Sequence, residues 1–138
     1  METLPLEIGE TAHALRKSFD RRAASMGATR AQWKVLFRLT RTPGLRQVEL
    51  AELLDVEPIT LCRIIDRLEE SGLVERRRDP DDRRAWQLFL TEAAGPMTRT
   101  LRALGNDLID DAFAGIDPDD IATLRRVLDQ VRTNLANL

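Results

Sequence analysis

The sequence predicts a mainly α fold carrying one small β-hairpin, and three observations between residues 45 and 91 lead to it. Two short amphipathic stretches follow one another across a polar turn, each with apolar residues at helical spacing. A strand then opens at Gly72-Leu73-Val74, and a returning strand closes at Leu88-Phe89-Leu90-Thr91. Between them, Asp79-Pro80-Asp81-Asp82 supplies turn chemistry, with arginines on either side. Helix, turn, helix and basic hairpin in that order make a winged helix-turn-helix, flanked here by further helices at both ends.

The first helix is predicted over Leu6 to Met26, where Ile8, Ala12, Leu15, Phe19, Ala23 and Met26 form one apolar stripe that Gly27 ends. Thr29-Arg30-Ala31-Gln32 matches a capping box, so a second helix starts there, turns Trp33, Leu36, Phe37 and Leu39 inward, and stops at Thr42-Pro43-Gly44. A short third helix, Gln47 to Leu54, is expected to bury Leu50, Ala51, Leu53 and Leu54. The fourth spans Pro58 to Ser71. Proline opens it, where a missing N–H does no harm, and Gly72 closes it. Leu61, Ile64, Ile65 and Leu68 share its core face, leaving Ile59, Arg63, Asp66, Arg67 and Glu70 on the opposite side.

Strands are predicted at Leu73–Arg78 and Ala85–Leu90. A fifth helix follows with Thr91 as its cap and Met97, Leu101, Leu104, Leu108 and Ile109 as its stripe. Asp117-Pro118-Asp119-Asp120 places a cap, a first-turn proline and acidic side chains at the positive end of a sixth helix. That helix carries Ile121, Leu124, Val127, Leu128, Val131 and Leu135.

The 138 residues suit a single domain, with 28–91 as the DNA-binding region and 1–27 and 92–138 as dimerisation helices. The three outer helices carry more apolar stripe than so small a unit can cover, which points to a second copy of the chain. A two-fold dimer sets its recognition helices ~34 Å apart, in successive major grooves of palindromic double-stranded DNA. No apolar run approaches the ~20 residues of a membrane span, and the acidic opening METLPLEIGE has no signal-peptide core, so a cytoplasmic location is expected. One cysteine, Cys62, and one histidine, His13, leave no disulfide framework and too few ligands for a zinc site; no cofactor or metal is expected. Without a Ser-His-Asp set or a Gly-rich phosphate loop, the chain does not read as an enzyme.

Charge is unevenly spread. Glu10 to Arg46 holds nine basic residues against two acidic ones, whereas seven aspartates stand against three arginines from Gly105 onward. Such polarity fits a molecule with one face toward phosphate. Arg63 is the candidate base reader, because a guanidinium pairs bidentately with guanine O6 and N7. Pro58 and Thr60 are candidates for a thymine methyl or a phosphate, and Arg67 for the backbone. Arg83 and Arg84 flank the hairpin tip, where a narrow minor groove attracts arginine. Asp82 is expected to neutralise one of the arginines from Arg76 to Arg78 across the strands. Cys62 reads as a half-buried filler, with oxidation there as the alternative.

These residues resemble the MarR family (multiple antibiotic resistance regulators), and within it the SlyA-like branch. The likeness rests on Gln47-Val48-Glu49-Leu50-Ala51, Thr60-Leu61-Cys62-Arg63, Leu68-Glu69-Glu70-Ser71-Gly72-Leu73-Val74, and Asp82-Arg83-Arg84-Ala85 with Leu88-Phe89-Leu90-Thr91. It implies a homodimer built by the first, fifth and sixth helices, a recognition-helix arginine at Arg63, and a minor-groove arginine at Arg84 with Asp82 as its partner. It also implies repression relieved by a small phenolic or aromatic carboxylate effector, in a cleft drawing on His13, Arg16, Lys17, Trp33 and Phe37. Peroxide-sensing relatives carry a cysteine near the start of the chain, which this sequence lacks. SlyA-like activation by displacing other DNA-coating proteins is one alternative, and a winged-helix module for protein contacts is another.

Overall fold

A computed structural model describes residues 1–138. Its elements are α1 (Leu4–Ala24), α2 (Arg30–Arg41), α3 (Gln47–Leu54), α4 (Pro58–Glu70), β1 (Val74–Arg78), β2 (Trp86–Leu90), a 3₁₀ turn (Glu92–Ala94), α5 (Gly95–Ala112) and α6 (Pro118–Ala136). This is the predicted winged helix-turn-helix with a helix before it and two after. No helix is long and apolar enough to cross a membrane.

Met1–Leu108 and Ile109–Leu138 are separate compact units. In the first, one core gathers Phe19 and Ala23 of α1, Val35, Leu36 and Leu39 of α2, Leu50 of α3, Leu61, Ile65 and Leu68 of α4, and Val74 and Leu88 of the hairpin. In this unit each helix turns most of its predicted stripe inward; Leu53 of α3 and Ile8 of α1 do not, and Ile109, the last residue of the predicted α5 stripe, is also exposed. Leu53 was expected in the core and is 51% exposed. In a two-turn helix the adjacent Leu53 and Leu54 point ~100° apart, and only Leu54 reaches the core. Leu4, Leu6 and Ile8, on the first turns of α1, are also exposed. In the second unit, α6 is amphipathic yet buries no residue. Leu124, Val127, Val131 and Leu135 are all open.

Local signals in the sequence act as the caps they suggest. Thr29 accepts from Gln32 N–H at 3.2 Å while the Gln32 amide oxygen accepts from Thr29 N–H at 3.0 Å. Asp117 accepts from Asp119 N–H at 2.8 Å and starts α6. Gly72, at φ +75°, closes α4 and turns the chain into β1. Thr91 departs from expectation. Its hydroxyl donates to the Gly72 carbonyl instead of capping a helix, and the 3₁₀ turn intervenes before α5. The hydroxyl thereby ties the end of α4 to the exit of the hairpin.

β1 and β2 pair antiparallel from Val74 opposite Leu90 to Arg78 opposite Trp86. The loop after α2 adds a short third edge: Gly44 N–H donates to Leu88 O and Leu88 N–H to Leu45 O, both at 2.9 Å, with a bridge between Arg46 and Gln87. Strand alternation puts Val74, Arg76 and Arg78 on one face. Val74 and the cross-strand Leu88 are fully buried, so this face is the inner one, and Arg76 stands on it among apolar neighbours.

Candidate nucleic-acid interface

The recognition helix, α4, is held by three buried residues, Leu61, Ile65 and Leu68. Their burial fixes which side faces out. Pro58, Ile59, Thr60, Arg63 and Arg67 all lie on the exposed side. Ile59, at 66% exposed, is a large apolar side chain turned outward, as suits a surface that meets methyl groups in a groove.

The wing holds five arginines, and they divide into two sets. Arg76, Arg77 and Arg78 are engaged within the protein. Arg76 pairs with Asp66 at 2.7 Å and Glu69 at 3.1 Å. Arg77 pairs with Glu75 and lies 4.2 Å from the Phe89 ring centroid. Arg78 lies 4.3 Å from the Trp86 centroid and donates to the Arg83 carbonyl. Arg83 and Arg84, at the tip, are exposed and their side chains have no carboxylate partner. Arg63 and Arg67 on α4 are likewise unpaired. Within the recognition helix and the wing, the guanidinium donors left free are therefore those at the two places where the fold would meet a duplex.

Asp82 does not neutralise Arg76, Arg77 or Arg78 as the sequence suggested. Its carboxylate accepts from the Arg84 backbone N–H at 3.0 Å, which shapes the tip beneath Arg84. The turn carboxylate that ties the hairpin to the start of α3 is Asp79, only 4% exposed, which receives Arg46 Nε at 2.7 Å and Asp81 N–H at 2.8 Å. The Asp81 amide foremost, and then Arg46, hold its carboxyl below the usual carboxylate range, while burial opposes them. A carboxylate with a lowered folded pKa contributes stability that is full above its unfolded pKa and lost as pH falls through the folded one. Asp79→Asn is therefore expected to be less stable than the wild type at neutral pH. The gap should close only as pH drops below ~3.9, the ordinary aspartate value. Paired urea titrations at pH 7 and at about pH 2.5 check this; a gap equally wide at both would show that Asp79 acts by packing alone.

Of the residues suggested for an effector, Trp33 and Phe37 sit in an aromatic cluster with Phe19, centroids 4.7–5.6 Å apart. The Trp33 indole N–H donates to Asp20 at 2.8 Å, and Asp20 also pairs with Arg30. His13, Arg16 and Lys17 are exposed on α1. Phe37 lines a groove of about 260 Å³ whose other walls are Thr40, Arg41, Thr98, Arg99 and Arg102. Arg41 counts in the sequence among the basic residues before Arg46, but its meeting with Arg99 and Arg102 went unread, since nothing local joins the end of α2 to the start of α5. Cys62 is half-buried, its sulfur 3.7 Å from Arg76 Nη2.

The MarR family profile matches residues 28–86. Among solved structures, the transcriptional regulator PA3341 is similar over 98% of this chain and 99% of its own, at 34% identity and a TM-score of 0.87. Apo wild-type MarR from E. coli is 30% identical over 89% of this chain and 95% of that one, with a TM-score of 0.72. A MarR family transcriptional regulator from Listeria monocytogenes, solved with a 26mer DNA, shares the fold at a TM-score of 0.80 and 24% identity, over 95% of this chain and 87% of that one.

Proposed function

This chain belongs to the MarR family of transcriptional regulators, and from that premise we propose that it is a homodimeric repressor, bound to a palindromic operator and released by a small aromatic acid. The observation that carries the DNA reading is the division of the arginines. Within α4 and the wing, the guanidiniums at the wing base are engaged inside the protein, whereas Arg63, Arg67, Arg83 and Arg84 are left open. A winged helix used only for protein contacts would have no need of unpaired arginine at both groove positions. In this reading Arg63 pairs with a guanine edge, and Pro58 and Thr60 meet a thymine methyl or phosphate at the start of α4. Arg67 and Arg83 lie along phosphates, and Arg84, set by Asp82, enters the minor groove.

The dimer reading rests on the apolar residues that α1 and α6 leave uncovered. The effector reading rests on aromatic surface beside cations: Phe37 joins the aromatic cluster to the groove of Arg41, Arg99 and Arg102, and Arg16 and Lys17 supply further cations on α1, which also carries His13. A carboxylate on an aromatic ring would satisfy both kinds of neighbour.

The test is fluorescence anisotropy with duplex selected by the wild-type chain from a random-sequence pool. Arg63→Ala should lose ~1–3 kcal/mol and relax preference at one base pair in each half-site. Arg84→Ala should weaken binding and lower the salt slope by about one counterion. Arg63→Ala losing affinity equally on all sequences would reassign Arg63 to phosphate, and an unchanged slope in Arg84→Ala would remove the minor-groove contact. Salicylate added to the wild-type complex tests release.

A further inference from the structure

Arg76 occupies a position that strand alternation gives to an apolar residue, on the inner face of the hairpin between Val74 and Arg78 and opposite Leu88. Its side chain is only 13% exposed. Every part of its fork is taken by the helix-turn-helix. Nε donates to Gln47 Oε1 at the start of α3 (3.1 Å), and Nη1 to Glu69 Oε1 (3.1 Å). Nη2 serves both the Cys62 carbonyl (3.2 Å) and Asp66 Oδ1 (2.7 Å) on α4. The Arg76 backbone N–H adds a bond to Glu69 Oε2 at 3.1 Å. Cys62, Asp66 and Glu69 follow at helical spacing and line the α4 edge that faces the wing, so the contact runs across more than one turn of the recognition helix.

The DNA-facing residues of α4, with Arg63 at their centre, lie on the same helix as the Arg76 acceptors. Arg84 lies at the far end of the hairpin that Arg76 anchors. We propose that Arg76 is a positioning residue for DNA binding: it fixes the angle of the wing against the recognition helix, so that Arg63 and Arg84 reach the major and minor grooves together. It touches no DNA itself. Only arginine suits the place, since its planar fork presents five donors in fixed directions, whereas a lysine ammonium offers three from one point and cannot span acceptors on two helices.

Asp66 and Glu69 make the test decisive, because charge and geometry predict opposite results. Both are exposed acids on the helix that approaches phosphate. If they act only through charge, Asp66→Ala with Glu69→Ala removes repulsion, tightens binding and leaves the footprint unchanged. If they hold the clamp, the same double variant frees the wing. The inference rests on Arg63 and Arg84 as the DNA contacts, and Arg84→Ala in the same assay tests that reading separately: it should lose the flanking minor-groove protection and keep the central one.

The experiment is hydroxyl-radical footprinting of the selected duplex, with affinity by anisotropy and folding by circular dichroism. For Arg76→Gln, Arg76→Lys and the Asp66/Glu69 double variant we expect loss of flanking protection with the central footprint kept, and a ten-fold or greater fall in affinity, lysine failing to rescue. Should the Arg76 variants unfold, the double variant, altered only at exposed positions, still decides the matter. Flanking protection and affinity retained in the double variant, or central and flanking protection fading together in step with lost folding, would overturn the proposal.

Discussion

Val127→Asp combined with Val131→Asp is expected to turn the proposed dimer into monomers and to lower operator affinity by ~10²–10⁴-fold, the usual gain from tethering two binding modules. The two valines lie one turn apart on α6, 44% and 41% exposed, on a helix that buries nothing within its own unit. Aspartate there therefore disturbs the protomer little, beyond helix propensities of ~0.5 kcal/mol per residue. In a two-fold seam the same pair places four carboxylates against apolar surface, and each unpaired buried charge costs several kcal/mol. Analytical ultracentrifugation should show monomers with unchanged helical circular dichroism, and anisotropy should show weak, sequence-indifferent binding. A variant that sediments as a dimer would place the seam elsewhere.

How far the sequence could carry this reading depends on the range of the interaction. Short-range signals were legible. Thr29 with Gln32, Asp117 with Asp119, and Gly72 after Leu68 each involve residues within four positions, where chain geometry leaves little freedom. The helix stripes were legible for the same reason. What failed were choices among equals. Leu53 and Leu54 are alike in sequence, and only packing decides which one faces the core. Asp79, Asp81 and Asp82 all sit in the turn, and the register of the hairpin, not their identity, buries Asp79 beside Arg46. The run Glu75-Arg76-Arg77-Arg78 reads as a basic strand. That Arg76 turns inward to two helices while Arg77 lies over Phe89 follows from which face Val74 buries. Thr91 finds its acceptor nineteen residues away, and the arginines beside Phe37 meet only in the folded chain.

Leu61→Ala is expected to lose ~2–5 kcal/mol of stability, the range for a large aliphatic side chain removed from a closed core. Leu61 has no exposed surface and belongs to the set that seats α4 on the domain. Against a total stability of about 5–15 kcal/mol, that loss takes a large share. Ile59, two positions earlier, is the internal control. It is similarly apolar but ~200° around the helix and 66% exposed, so Ile59→Ala should change stability by no more than ~0.5 kcal/mol. The two substitutions should separate fold from function. Urea denaturation should show a lower midpoint and an unchanged slope for Leu61→Ala, while its folded fraction binds DNA with near wild-type affinity. Ile59→Ala should keep the wild-type midpoint and weaken binding, most of all at sites whose thymine methyls it would contact. Equal stability losses at both positions would mean that α4 is seated with a different face outward, and the assignment of Arg63 to the groove would go with it.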